Sequence, residues 1–345
     1  MTKMLEEILQ QPEVLAKIEE KNKATLMALA KEINDKKIKT AVFSGRGTSD
    51  HASIYGQYLF GVKAGLVSSL SMPSCITAYD CEFDFENMLV FGVSQSGKAA
   101  DALAVLEQAN KKNAVTVAVT NDENSPMAKM AKYHLFCNAG EEISVAATKT
   151  FTAQMYLLAL LYAYMKNDSG FLEELRELPK AVSKLLDNAD SIKNQVSRYR
   201  YMKEGFVLAR GICYPVALEA ALKIQETCYI KMKGYAISDF YHGPMAQLDP
   251  DVPAIIFAVK GHTFDDAQAM IKKVKEIGIS PLVVTDSEEL AKENDFSIIL
   301  PSTKSEFTKP FLLATTAQLF AQYLCVSKGM NPDSPRLLKK VTITK

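Results

Sequence analysis

Short apolar runs alternate with helical stretches along most of this 345-residue chain, and midway the alternation stops and begins again. The first set of strand-like runs is Thr40–Ser44, Leu66–Leu70, Met88–Val93, Ala114–Val119 and Tyr133–Cys137. The interiors of Met88–Val93 and Ala114–Val119 are apolar at nearly every position, not at every second one. A strand of that kind is covered on both faces, as in a parallel sheet with helices above and below. An apolar helix from Thr148 to about Lys166 closes this half, and Asn167-Asp168-Ser169-Gly170 is a stop signal. The charged, helical stretch Phe171 to Arg200 reads as a bridge. The strands then resume at Gly205–Ala209, Ala254–Val259, Pro281–Val284 and Phe296–Leu300. The halves also match in sequence: Val42 to Gly47 resembles Val207 to Gly211, and Phe91-Gly92-Val93 resembles Phe257-Ala258-Val259. The expectation is a duplicated α/β domain.

Composition narrows the function classes. Lys+Arg and Asp+Glu both number 40, so a broadly basic nucleic-acid face is not expected. Six cysteines lie scattered without C-x-x-C spacing and histidines number four, so no metal site is expected. Met1 to Lys23 is charged throughout, unlike a signal peptide. The longest apolar stretch, Phe151 to Met165, is too short for a bilayer. The chain reads as cytoplasmic, with no membrane or nucleic-acid partner and no metal or redox cofactor.

The most informative motif is Val93-Ser94-Gln95-Ser96-Gly97, where a buried strand breaks into hydroxyls, an amide and a glycine before Lys98 to Gln108 resumes helical periodicity. Backbone N–H groups at such a helix start, with Ser and Gln donors beside them, form a site for a small-molecule phosphate. The motif lacks both the Walker Gly-Lys-Ser/Thr and the G-x-G-x-x-G spacing. An ordinary turn with a serine N-cap has the same appearance. The second half carries Lys260-Gly261-His262-Thr263 at the equivalent place, without the hydroxyls, so one working phosphate pocket per chain is expected.

Glu219, Lys223 and Glu226 are spaced four and three apart and share one helix face. A surface ion-pair ladder would look the same. However, Ala217, Leu218, Ala220, Ala221, Leu222 and Ile224 around them are apolar, and charges on a buried helix need a reason. Burial lifts a carboxylate's pKa while a neighbouring lysine lowers it, a balance suited to moving protons. His242 lies in a loop after a short strand and could equally be a solvated turn histidine. Lys340, near a Pro-rich tail end, could equally be a frayed terminal lysine.

Together these segments resemble the double-SIS (sugar isomerase) proteins, in particular the isomerase half of glucosamine-6-phosphate synthase and the SIS-type glucosamine-6-phosphate deaminases. The matching motifs occur in order: Gly47-Thr48-Ser49, Ser94-Gln95-Ser96-Gly97, Glu142 to Lys149, Arg210-Gly211 with Tyr214-Pro215, Ala217-Leu218-Glu219, Ala221-Leu222-Lys223 with Glu226, His242-Gly243-Pro244, and Pro335-Arg336 with Lys340. The resemblance implies two tandem SIS domains, each a flavodoxin-like parallel sheet flanked by helices. The expected divisions are an N-terminal helix at 1–25, domains at 26–167 and 201–330, a helical linker at 168–200 and a catalytic tail at 331–345.

By the same resemblance, Gly47, Thr48, Ser49, Ser94, Gln95 and Ser96 hold the sugar phosphate, while Val145 and Arg46 border the sugar. Glu226, His242, Lys340, Glu219 and Lys223 are the catalytic set. His242 would open the sugar ring, Glu226 would move the proton, and Lys340 would form an imine or pair with open-chain oxygens. The family's pocket lies at a homodimer interface, with the histidine supplied by the partner subunit. Departures bear on the sugar's identity: Ala99 stands where a phosphate-contacting hydroxyl is expected, Lys98 replaces an acid, Arg46 a cysteine and Asp239 a glutamate. The start Met1-Thr2 leads us to expect no glutaminase module. The implied activity is isomerisation with amine loss, glucosamine 6-phosphate giving fructose 6-phosphate and ammonia. Its alternatives are a fructosamine or amino-acid–sugar 6-phosphate deglycase, a simple phosphosugar isomerase, and a non-catalytic sugar-phosphate sensor.

Overall fold

In a computed structural model, which describes residues 1–340, the ten strands form two separate five-stranded sheets. The first contains β1 (Thr40–Ser44), β2 (Val67–Leu70), β3 (Met88–Val93), β4 (Val115–Thr120) and β5 (Tyr133–Phe136), in the order β2-β1-β3-β4-β5. The second contains β6 (Glu204–Ala209), β7 (Lys231–Ala236), β8 (Ala254–Phe257), β9 (Leu282–Thr285) and β10 (Ser297–Ile299), in the order β10-β9-β8-β6-β7. Read from the other edge, the second order repeats the first. Every pairing is parallel. The central strands β3 and β4 are buried almost throughout, in keeping with their largely apolar sequences.

Two compact units divide the chain. One consists of Glu13–Glu142, Lys149–Arg176 and the tail from Lys339, and holds the first sheet; the other consists of Met1–Pro12, Ile143–Thr148 and Glu177–Leu338, and holds the second. On one face of the first sheet Val42 and Val90 pack with Val105, Leu106 and Ala109 of the helix Ala100–Lys111. Phe43 and Phe91, the next residues along β1 and β3, stack at 4.6 Å between ring centroids. Such a pair adds about 0.5–1.5 kcal/mol beyond its buried area. In the second unit Phe206, Leu208 and Ile256 pack with Met270, Ile271 and Val274 of the helix Phe264–Glu276.

Three local features differ from the sequence reading. The N-terminal helix breaks at Gln10 and resumes as Gln11–Asp35, past residue 25, because no glycine or proline interrupts 13–35. The second sheet gains the edge strand β7, whose Lys-Met-Lys-Gly-Tyr-Ala sequence carries little apolar signal. A four-residue helix, Ile237–Phe240, separates that strand from His242.

Parallel pairing is what positions the site in the first unit. β1 pairs with β3 in register, Ser44 opposite Gly92, so the loops after both strands leave the same carboxyl edge side by side. Those loops contain Arg46-Gly47 and Ser94-Gln95-Ser96-Gly97.

Candidate active site

Three serines stand at or just beyond the carboxyl ends of β1 and β3: Ser49, Ser94 and Ser96. Ser49 lies in the first turn of the helix Thr48–Leu59, and its Oγ accepts a hydrogen bond from Gln154 Nε2 at 3.1 Å. Ser94 Oγ accepts from the Gly97 N–H at 3.2 Å, and Ser96 Oγ accepts from the Lys98 N–H at 3.4 Å. A hydroxyl that accepts from the protein keeps its own hydrogen for donation, which is what a phosphate oxygen requires. Gly47 and Ala99 occupy the N-caps of the two following helices and neither supplies a side-chain cap. Gln95 is half-buried, and its carbonyl accepts from the Asn121 N–H at 2.9 Å, which fixes the loop. Gly97 has a positive φ of 62° and packs against Ser125 so closely that a Cβ there would come within 2.2 Å of Ser125 Oγ.

Arg46 sits exposed on the rim, its Nε donating to Asp101 Oδ2 at 2.7 Å. Asp101 and Gln154 both escape sequence reasoning because they lie 55 and 105 residues from their partners, with no spacing to betray them. Asp50, next to Ser49, is pushed above the usual aspartate range by burial, with His51 and Arg46 opposing.

In the other unit, the helix Tyr214–Cys228 carries the charged triad and buries its apolar faces against the helix Lys309–Ser327 and strand β7. Lys223 Nζ lies 3.3 Å from Glu219 Oε1 and 2.5 Å from Glu226 Oε2. The side chains of Lys223 and Glu219 are each 1% exposed, that of Glu226 21%. Burial by itself would lower the Lys223 pKa, but Glu219 and Glu226 together outweigh it and hold the ammonium above the ordinary lysine range. The two carboxylates thus favour the charged form of Lys223, and within the triad Glu226 is the carboxylate that solvent reaches. His242 is exposed, with its backbone N–H bonded to the Asp239 carbonyl at 3.0 Å.

The segment before the helix Lys149–Lys166 is pinned from several directions. Glu7, on the helix Lys3–Leu9, is buried and accepts from the backbone N–H groups of Ile143 and Ser144, fixing the two residues before the half-buried Val145. Thr148 precedes the helix, and its carbonyl accepts from Gln318. Glu142 accepts from Thr150 N at 3.1 Å and from Thr150 Oγ1 at 2.8 Å, an acidic cap at a helix N-terminus. The same carboxylate meets Lys340: Nζ is 2.9 Å from Glu142 Oε2, with the carboxylate side chain fully buried and the lysine side chain 24% exposed. Lys340 is thus docked by its ammonium, whereas Lys339 is exposed. No sequence spacing pointed to Glu7, or to Glu142 as the partner of Lys340.

The fold agrees with three comparisons. The model of the SIS domain matches residues 33–164 and 202–328. The chain is 33% identical, over 99% of its length, to the isomerising glutamine–fructose-6-phosphate aminotransferase of Thermococcus kodakarensis, of which the match covers 58%. Among solved structures, the C-terminal domain of the glucosamine-fructose-6-phosphate aminotransferase of Francisella tularensis superposes with a TM-score of 0.86 at 26% identity, over 97% of this chain and 98% of that one. The glucosamine-6-phosphate deaminase of Thermotoga maritima shares the fold, with a TM-score of 0.78 at 22% identity over 99% of this chain and 100% of that one. Two parallel α/β units bearing this match place the chain in the SIS domain family, with two SIS segments. It spans about half the length of the curated relatives it matches. Among the described residues no helix is long and apolar enough to cross a membrane.

Proposed function

We propose that this protein is a phosphosugar isomerase that acts on an amino-hexose 6-phosphate, turning glucosamine 6-phosphate into fructose 6-phosphate and ammonia as a homodimer. The observation that carries this reading is the triad on the helix Tyr214–Cys228. One carboxylate, Glu226, is accessible, and it is held by a lysine buried against a second carboxylate. A positioned carboxylate beside a fixed cation is what proton transfer between adjacent carbons needs. Substrate is anchored through its phosphate by Ser49, Ser94 and Ser96, with Thr48, Gly47 and Gln95 completing the loops and Arg46 and Val145 bordering the sugar.

His242 opens the ring by moving a proton between the ring oxygen and the C1 hydroxyl, which imidazole does readily near neutral pH. Glu226 then takes the proton from C2 and delivers it to C1, converting the 2-amino aldose to a 2-imino ketose. Water adds at C2 and ammonia departs, leaving the ketose. Lys223 and Glu219 orient Glu226, and Lys340 serves the carbonyl end of the open chain.

The test is ammonia release from glucosamine 6-phosphate by purified protein, run beside fructosamine 6-phosphate and fructose 6-phosphate. Turnover of the first, lost in Glu226→Gln, supports the proposal. Turnover of only the fructosamine adduct would make the protein a deglycase, and binding of all three without turnover would make it a sensor.

A further inference from the structure

The second sheet keeps the framework of the first cradle but closes it from within. Gly211 follows β6 as Gly47 follows β1, both with positive φ, 60° and 56°. A Cβ added at Gly47 would meet nothing within 4 Å, whereas one at Gly211 would lie 3.0 Å from Thr263 Cγ2. The loops after β6 and β8 therefore touch where their counterparts in the first sheet stand open.

The donors of the second cradle are also engaged. Aligning Phe257-Ala258-Val259 with Phe91-Gly92-Val93 sets Lys260, Gly261 and His262 at the positions of Ser94, Gln95 and Ser96. The His262 N–H donates to Glu306 Oε2 at 2.9 Å, and the His262 ring nitrogen Nδ1 meets Glu306 Oε1. Glu306 lies so close over Gly261 that a Cβ there would be 2.2 Å from Oε2. Beside it, the Lys260 N–H donates to Asp286 Oδ1 at 2.7 Å, and Asp286 Oδ2 pairs with the buried Lys309 at 2.6 Å. Among the described residues, by contrast, the Gln95 and Ser96 N–H groups donate to no protein acceptor. The same strand-end geometry therefore holds a protein carboxylate in one sheet and presents unused donors in the other.

We propose that Glu306 is the resident anionic ligand of the second cradle, and that its carboxylate occupies the place a phosphate-type oxyanion would take. The duplicated domain has lost its ligand site by growing its own ligand, and trimming Glu306 should restore anion binding there. The inference does not rest on the proposed reaction, because its readout is anion binding with the first cradle disabled.

The experiment measures thermal stability against inorganic phosphate, with chloride at matched ionic strength as the reference. The background is the full chain carrying Ser94→Ala and Ser96→Ala, compared with the same chain also carrying Glu306→Ala or Glu306→Ser. Expected is a phosphate-specific Tm rise of about 2 °C or more in both Glu306 variants, saturating with concentration, and absent from the background. A variant that folds only when phosphate is present gives the same answer. Equal phosphate responses with and without Glu306 overturn the proposal.

Discussion

Replacing Lys223 by methionine tests the triad most severely. At an effective dielectric of about 20, the pair with Glu219 at 3.3 Å gains roughly 5 kcal/mol and the pair with Glu226 at 2.5 Å roughly 7 kcal/mol. Desolvating each ion costs several kcal/mol, so the intact triad contributes little net stability. Removing the lysine alone takes from the buried Glu219 the ammonium 3.3 Å away, which costs about 3–5 kcal/mol. For a unit of this size that corresponds to a Tm fall of roughly 6–20 °C, measured by calorimetry at pH 8. The deficit should shrink on acidification. A buried carboxylate without its cation binds a proton more readily folded than unfolded, so the variant's stability falls as pH rises above about 4.3. The wild type shows no such loss through neutrality. Its Lys223 pKa is raised, so that contribution is fully present below the unfolded lysine value of about 10.4 and disappears only as pH climbs through the folded value. Adding Glu219→Leu to Lys223→Met should recover most of the lost stability. A single variant within 2 °C or so of wild type, or a double variant worse than the single, would refute this account of a fixed internal cation.

Other consequences are local. Glu142→Gln removes the charge that docks Lys340, and a charge-assisted hydrogen bond contributes about 1.5–3 kcal/mol. Trypsin should then cleave at Lys339 and Lys340 several-fold faster than in wild type; Thr150→Val, which loses only a capping contact, should not reproduce this. Ser94→Ala with Ser96→Ala should weaken sugar-phosphate binding by about tenfold or more in titration calorimetry, with little change in Tm without ligand. Gly97→Ala forces a Cβ onto Ser125 at a positive φ, so a loss of about 1–3 kcal/mol is expected in urea unfolding, together with loss of phosphate affinity.

How much of this was legible in sequence follows from the range of the forces involved. The central strands were, because β3 and β4 are buried on both faces and so are apolar at most positions. The duplication was, because both sheets need the same crossover loops. Edge strand β7 gave little signal, since an edge tolerates lysine and glycine. Of the site, the spacing of Glu219, Lys223 and Glu226 survives in sequence because one helix carries all three. The partners that orient side chains do not: Asp101 for Arg46, Gln154 for Ser49, Glu142 for Lys340 and Glu306 for His262 come from elements far along the chain, and only tertiary folding pairs them.

The central claim is that Glu226 moves a carbon-bound proton of a phosphate-anchored sugar. Incubating fructose 6-phosphate with the protein in D2O and following the C1 protons by NMR tests it without assuming the fate of any amine. Wild type should exchange one C1 hydrogen for deuterium, and Glu226→Gln should bind the sugar phosphate with unchanged affinity yet exchange none. Binding by wild type with the C1 protons fully retained would contradict the claim.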